Sequence, residues 1–208
     1  MESAMRPKRT ASKQDWGTPP EVFNELSKLF GGFVIDGAAD DKNHLADWWF
    51  GPGSPLEVED ALNESETFPF IPIHGNIFVN PPYSKLWPWV LTFERWATHG
   101  ATVVALLPSR TDTDWFQFCM GSASEIWVCR NRINFMGDSN SPIEGSVVVI
   151  WRPEHAQVNP SAYATFRLWN NPKGKRNAVS TISQGEVAGG EGEPERADIR
   201  DVPDAGGS

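Results

Sequence analysis

Ile77-Phe78-Val79-Asn80-Pro81-Pro82-Tyr83 is a short apolar run that ends in a proline-stiffened turn. Ile77 to Val79 reads as a buried strand, and the two prolines fix the turn that follows. After Ser84-Lys85 an aromatic-rich amphipathic stretch, Leu86 to Ala97, reads as a helix stopped at His99-Gly100. Ala101 to Leu107 is then a continuous apolar strand of the kind that lies inside a parallel sheet. Strand, turn, helix and strand in that order predict an α/β fold.

The same alternation extends in both directions. Upstream, Thr18-Pro19-Pro20-Glu21 reads as a helix start, with Thr18 as N-cap, Pro19 first in the helix and Glu21 closing a capping box. Val22, Phe23, Leu26, Leu29 and Phe30 share one helical face, and Gly31-Gly32 ends the helix. Phe33 to Ile35 is a short strand that delivers Asp36 at its carboxyl end. A stretch rich in Trp, Gly and Pro follows, with Asp60-Ala61-Leu62 inside it. Downstream, Asp114 to Met120 reads as a brief helix and Ile126 to Cys129 as a strand. Ile133 to Phe135, Val147 to Trp151 and Ala164 to Trp169 read as later strands. Right-handed crossovers then imply a mostly parallel sheet with helices on both faces. Ligands of such sheets bind outside the carboxyl ends of the strands, at the topological switch point. Asp36 and Asn80 both end strands, so both are expected at one crevice.

Asn-Pro-Pro-Tyr after a strand suits one chemistry in particular. A planar exocyclic amine has its lone pair delocalised into its ring and is a poor nucleophile. The Asn80 side-chain oxygen and the Pro81 carbonyl can each accept one N–H of such an amine. That pulls the nitrogen towards tetrahedral geometry and frees the lone pair for in-line attack on a methyl sulfonium. Pro81 and Pro82 hold the turn, and Tyr83 offers a ring face for a base to stack on. A rigid surface turn is the plainer alternative for the same four residues.

With 208 residues the chain suits one domain and a tail. Residues 1–15 form a basic, flexible start, 16–169 the folded domain, and 170–208 a tail of Ser, Gly, Glu and Asp with no aromatic residue. That tail is expected to be disordered, because it has too little apolar surface to offset its conformational entropy. Hydrophobic residues at 39% and charged residues at 22% are those of a soluble globular protein. No apolar run reaches the length of a membrane span and no signal peptide precedes the polar start, so a cytoplasmic protein without membrane contact is expected. Cys119 and Cys129 do not suggest a disulfide framework, and neither sits after a proline as an attacking thiolate would in cytosine-C5 chemistry. His44, His74, His99 and His155 show no metal spacing, so no metal is expected.

The net charge of −9 argues against tight non-specific binding of nucleic acid. Its distribution is uneven, however. Basic residues gather at Arg6 to Lys13, at Arg130 and Arg132, and at Lys173 to Arg176, and acids at Asp36 to Glu66 and in the tail. A local basic rim is therefore compatible with phosphate contacts. Arg110, Arg130 and Arg132 are the candidates, against surface ion pairing as the plain alternative. Trp48-Trp49 and Trp87-Pro88-Trp89 are expected to serve core packing before they serve as stacking platforms.

Trp16-Gly17-Thr18-Pro19-Pro20, Ile35-Asp36-Gly37-Ala38-Ala39, Asp60-Ala61-Leu62 and Asn80-Pro81-Pro82-Tyr83 occur in that order. Arg132-Ile133-Asn134-Phe135, Pro142 and Gly145-Ser146 follow them. The ordered set resembles the phage-type DNA N6-adenine methyltransferases (Dam), over Trp16 to Trp151. The resemblance implies a Rossmann-like methyltransferase fold, S-adenosylmethionine as methyl donor, and adenine N6 of double-stranded DNA as acceptor. It implies that Thr18 and Pro19 border the methionine end of the donor, with Trp16 also among the donor-binding residues. Asp36 and Ala38 would lie in the loop after the first strand, and Asp60 near the donor's adenine. A single glycine in Asp36 to Ala39 departs from the glycine-rich loops of many methyltransferases, and no acidic strand end between Asp36 and Asn80 presents itself for the ribose hydroxyls. The acceptor adenine would have to leave the duplex stack. A short recognition site would rest on loops around Arg110 to Asp114 and Arg130 to Pro142. A modification role such as that of restriction–modification systems, in the host cytoplasm for a phage-encoded enzyme, is in keeping. The sequence leaves the oligomeric state open, with a monomer slightly favoured. The rival readings are methylation of an RNA base or a protein glutamine, and a DNA-binding phage protein that has lost catalysis.

Overall fold

The computed structural model describes residues 17–136, 144–154 and 163–172, all within one compact unit. Trp16, the basic start 1–15, Pro142 and the tail from 173 onwards lie outside the described residues. The chain runs α1 (Pro20–Phe30), β1 (Ile35–Asp36), β2 (Trp48–Trp49), α2 (Glu64–Thr67), a 3-10 turn (Phe68–Phe70) and β3 (Asn76–Val79). It continues with α3 (Leu86–Thr98), β4 (Thr102–Pro108), α4 (Asp114–Ser122), β5 (Glu125–Cys129), β6 (Ser146–Trp151) and β7 (Thr165–Trp169). None of the described helices is long and apolar enough to cross a membrane.

The strands form one seven-stranded sheet in the order β2-β1-β3-β4-β6-β5-β7. It is mixed, not the mostly parallel sheet expected, and β6 is the reason. β6 runs antiparallel to both of its neighbours, β4 and β5, whereas every other pairing is parallel. β5 and β6 are consecutive and adjacent, and neighbours joined antiparallel need no crossover. Helices cover both faces. On one, Val22, Phe23 and Leu26 of α1 pack on Phe78, Val104, Leu106, Val148 and Ile150. On the other, Phe93 and Trp96 of α3 and Phe116 of α4 pack on Ile77, Val79, Val103, Ala105, Val147 and Val149. Alternate residues of β3, β4 and β6 therefore feed opposite layers, which is why their sequences are apolar throughout.

Several local expectations change. The N-cap of α1 is Pro19, in extended conformation and without a side-chain cap, and Thr18 lies one residue outside. A residue that precedes proline is pushed out of the helical region, so Pro19 cannot be helical and Pro20 takes the first position. Gly31 ends the helix at φ 76°, as its sequence implies. Leu29, at the margin of the stripe formed by Val22, Phe23, Leu26 and Phe30, is 53% exposed. Ile133 to Phe135 is not a strand, although Ile133 and Phe135 are buried. The segment ends in a two-way backbone bridge between Met136 and Gly17. β2 and α2 lie within a stretch that reads as irregular. Packing extends past Trp169 to Asn171, which is buried and accepts the Asn131 N–H at 3.1 Å.

Candidate active site

The chain order reverses its direction across the sheet between β1 and β3. From β1 the chain moves outward to β2, then returns past β1 to β3 on the other side. β1 and β3 are paired in register, Ile35 with Ile77 and Asp36 with Phe78. Asp36 therefore ends one strand directly beside the strand whose last residue, Val79, precedes Asn80. A cleft of about 400 Å³ opens at this point, within the size range of small-molecule sites. Thr18, Asp36, Ala38, Asp60, Asn80 and Pro82 all line it.

The loop after β1 is held tightly to the sheet. The Gly37 N–H donates to the Phe78 carbonyl at 2.7 Å. A Cβ at Gly37 would lie 3.0 Å from both Trp96 and Val79, so a side chain in the turn that leads out of β1 would require its neighbours to shift. Phe50 N–H donates to the Asp36 carbonyl at 2.9 Å and Ala39 N–H to the Phe50 carbonyl at 3.1 Å. This zips the loops after β1 and β2 together. Gly51 completes the zip at φ 134°, where a Cβ would come within 2.1 Å of the Ala39 carbonyl oxygen. Its N–H in turn donates to the Val58 carbonyl at 2.9 Å, tying in the third wall.

Asp36 is 3% exposed. Its Oδ2 accepts the Leu45 N–H at 3.1 Å. Burial raises its carboxyl to about 6, against the lowering effect of the Leu45 and Ala38 N–H groups and of nearby His44. A carboxylate poised in this way gains from a cation placed against it. Asp40, Glu59 and Asp60 add acid to the rim, and Phe50, Phe78 and Trp89 supply apolar wall. The cleft thus offers carboxylates for a positively charged ligand and aromatic surface for a planar one.

The remaining candidate residues occupy distinct places. Pro19 is buried and does not line the cleft; its carbonyl accepts the Val22 and Phe23 N–H groups at the start of α1. Pro81 is buried behind the turn. Tyr83 is half-buried, donates its hydroxyl to the Leu106 carbonyl at 3.4 Å, and meets Phe135 edge to face at 6.2 Å. Arg110 and Arg130 follow the carboxyl ends of β4 and β5, on the same edge of the sheet as Asn80. The Arg110 Nε donates to Glu144 at 2.7 Å, and Arg130 reaches Asn170 at 3.4 Å. Arg132 lies two residues further along the segment that leads to Met136. Cys119 is buried and Cys129 partly so, and burial pushes the Cys129 thiol up to about 12, which leaves it unreactive.

Asp40, Asn43, Leu45, Phe50, Glu59 and Trp89 belong to the cleft without having been legible as site residues. Glycines near 51 and the acids at 59 and 60 were the available signal. Trp89 is core-packed, as its context implies, while Trp48 and Trp87 are each 45% exposed.

Comparison with known proteins identifies the family. The family model described as DNA N-6-adenine-methyltransferase (Dam) matches residues 7–186. The chain is 28% identical over 134 residues to a protein of Haemophilus phage HP1 (strain HP1c1) named DNA N-6-adenine-methyltransferase, covering 62% of this chain and 70% of that one. It is 25% identical over 114 residues to the protein of the same name from Escherichia phage T1, covering 54% of this chain and 44% of the relative. With the family match spanning every wall of the cleft and the Asn80 turn, the chain belongs to the DNA N-6-adenine-methyltransferase (Dam) family, enzymes that methylate adenine N6 in DNA.

Proposed function

We propose that the cleft binds S-adenosylmethionine and that Asn80-Pro81-Pro82-Tyr83 receives an adenine extruded from duplex DNA. The observation that carries this reading is the shared cleft: Asp36 and Asn80 follow adjacent, in-register strands and line one cavity at the switch point. When bound, S-adenosylmethionine supplies an electrophilic methyl group on a sulfonium. Its cationic groups match Asp36 and the rim acids, and its adenine matches the aromatic wall. Thr18, Asp36 and Ala38 would hold the methionine end, with Asp60 towards the base. The sheet is then a Rossmann-like methyltransferase sheet, a reading supported by six strands running one way with β6 alone reversed.

The chain's own part in the chemistry is positioning. Asn80 Oδ1 and the Pro81 carbonyl accept the two N–H groups of the adenine amine, which localises its lone pair. Pro81 and Pro82 keep these acceptors fixed, so little reorganisation is needed during reaction. Tyr83 stacks on the extruded base, whose extraction costs about a few kcal/mol. Arg110, Arg130 and Arg132 rim the same edge and contact phosphates of double-stranded DNA.

Replacing Asn80 tests the assignment. Asn80→Ala is expected to leave S-adenosylmethionine affinity within about twofold while methyl transfer to DNA falls about 100-fold or more, since the lost acceptor acts mainly in the transition state. Calorimetry with the donor beside turnover with labelled donor measures both. Turnover near wild type in this variant would remove Asn80 from the chemistry.

A further inference from the structure

We propose that Glu66, on the far side of the cleft wall from the ligand, is a positioning residue that sets donor affinity. The inference rests on the reading of the cleft as the donor site. The wall concerned is residues 58–61. Val58 and Ala61 are buried in the core, and between them Glu59 and Asp60 line the cleft. Two consecutive exposed acids on a short loop have no reason of their own to stay in one conformation. Glu66 supplies the reason: its Oε2 accepts both the Glu59 N–H at 3.1 Å and the Asp60 N–H at 3.2 Å.

The local sequence shows that this is a diverted contact. Asn63-Glu64-Ser65-Glu66 has the form of a capping box, in which the glutamate three residues into a helix would return to the backbone of the N-cap. Asn63 is indeed the N-cap of α2, with its Oδ1 accepting the Ser65 N–H. Glu66 instead reaches past it to the loop, and the Asn63 side chain steadies that reach by donating Nδ2 to Glu66 Oε1 at 2.6 Å. The helix itself has only four residues, too few to hold together by their own hydrogen bonds. Thr67, fully buried and bonded to the Asn63 carbonyl, fastens α2 to the body of the domain, whereas Glu64 points outward into an exposed ion pair with Arg95 that contributes little. One carboxylate on a fastened turn thus fixes two backbone amides, and with them the direction of the Glu59 and Asp60 side chains. Asp60 Oδ1 accepts the Leu62 N–H at 2.9 Å, which adds a second restraint on the same segment.

Removing the Glu66 carboxylate should loosen the wall without touching Asn80 or the acceptor side. Glu66→Ala is expected to raise the Kd and KM for S-adenosylmethionine about tenfold or more, with kcat at saturating donor within about threefold. Glu66→Gln keeps one oxygen for the two amides and should recover most of the affinity. Glu64→Ala, on the same turn but directed at Arg95, should leave the donor Kd unchanged. Calorimetry, steady-state kinetics on the full chain and thermal melts of each variant provide the readouts. A folded Glu66→Ala protein with wild-type donor affinity would overturn the proposal. So would a parallel loss of kcat and Tm with no change in KM, or an equal defect in Glu66→Gln and Glu66→Ala. Asp36→Asn, measured alongside, separates the two claims: wild-type donor affinity there refutes the cleft as donor site, whereas a defect there with none in Glu66→Ala refutes only the role of Glu66.

Discussion

At the scale of single residues, Asp36 carries an ionisation that the fold resists and a ligand would reward. Its carboxyl titrates near 6 in the folded protein because burial penalises the charge. Between the ordinary carboxyl range and pH 6 the folded chain holds a proton that the unfolded chain has released. Stability from this group is therefore greatest at low pH and declines as pH rises through 6, by roughly 3 kcal/mol in all. A cationic donor needs the opposite state, the carboxylate. S-adenosylmethionine affinity is expected to fall about tenfold for each pH unit below 6, and Asp36→Asn should flatten that dependence. The same variant should melt at a higher temperature than wild type at pH 7, where it carries no buried charge. Calorimetry across pH 4.5 to 8, with melts of the ligand-free proteins, checks both directions. A donor affinity independent of pH in the wild type would show that binding does not draw on the ionisation of Asp36.

At the scale of elements, the loops that follow β4 and precede β6 meet in the Arg110–Glu144 ion pair, both partners being substantially exposed. An exposed pair of this kind contributes little to stability, but it occupies a guanidinium on the edge proposed to face DNA. Glu144→Gln should release Arg110 for phosphate, tighten DNA binding at low salt, and steepen the dependence of log K on log salt by about 0.9. Fluorescence anisotropy with labelled duplex over a salt series measures the slope, and an unchanged slope would mean that Arg110 does not reach the backbone. The elements also show where sequence reading succeeds. β3, β4, β6, α3 and α4 were legible because each is long enough for its apolar pattern to be unambiguous. The strand read as Phe33 to Ile35 is Ile35–Asp36, shifted towards the cleft, and β2 was not legible, since a two-residue strand has no period. The start of α1 was misplaced by one residue because Thr18 has cap chemistry, and the steric demand of consecutive prolines outweighs it. Of the six predicted residues that line the cleft, Asp36, Asn80 and Pro82 were readable from strand ends and turn chemistry, and Thr18, Ala38 and Asp60 through the family resemblance. Asp40, Asn43, Phe50 and Glu59 were not, because what brings them there is the long-range bonding around Asp36, Phe50, Gly51 and Val58.

At the scale of the whole molecule, the reversal of β6 places the sheet's longest pairings together. β4 and β6 are matched over six residues and β5 and β7 over five, whereas β1 meets each of its neighbours over only two. The cleft is thus built on the sparsely laddered end, and the basic rim extends towards the dense one. Opening of the backbone to solvent follows local bonding, so native-state hydrogen exchange should divide the protein along the same line. The amides of Leu45, Phe50 and Gly51 should exchange well before those of Ala105 and Val149, and added S-adenosylmethionine should slow the first group while leaving the second unchanged. A donor bound in the cleft as proposed would supply the cross-links that the short strands lack. It would then act as a structural member of the sheet's weaker half, and each turnover, by exchanging it, would briefly return that half to its looser state.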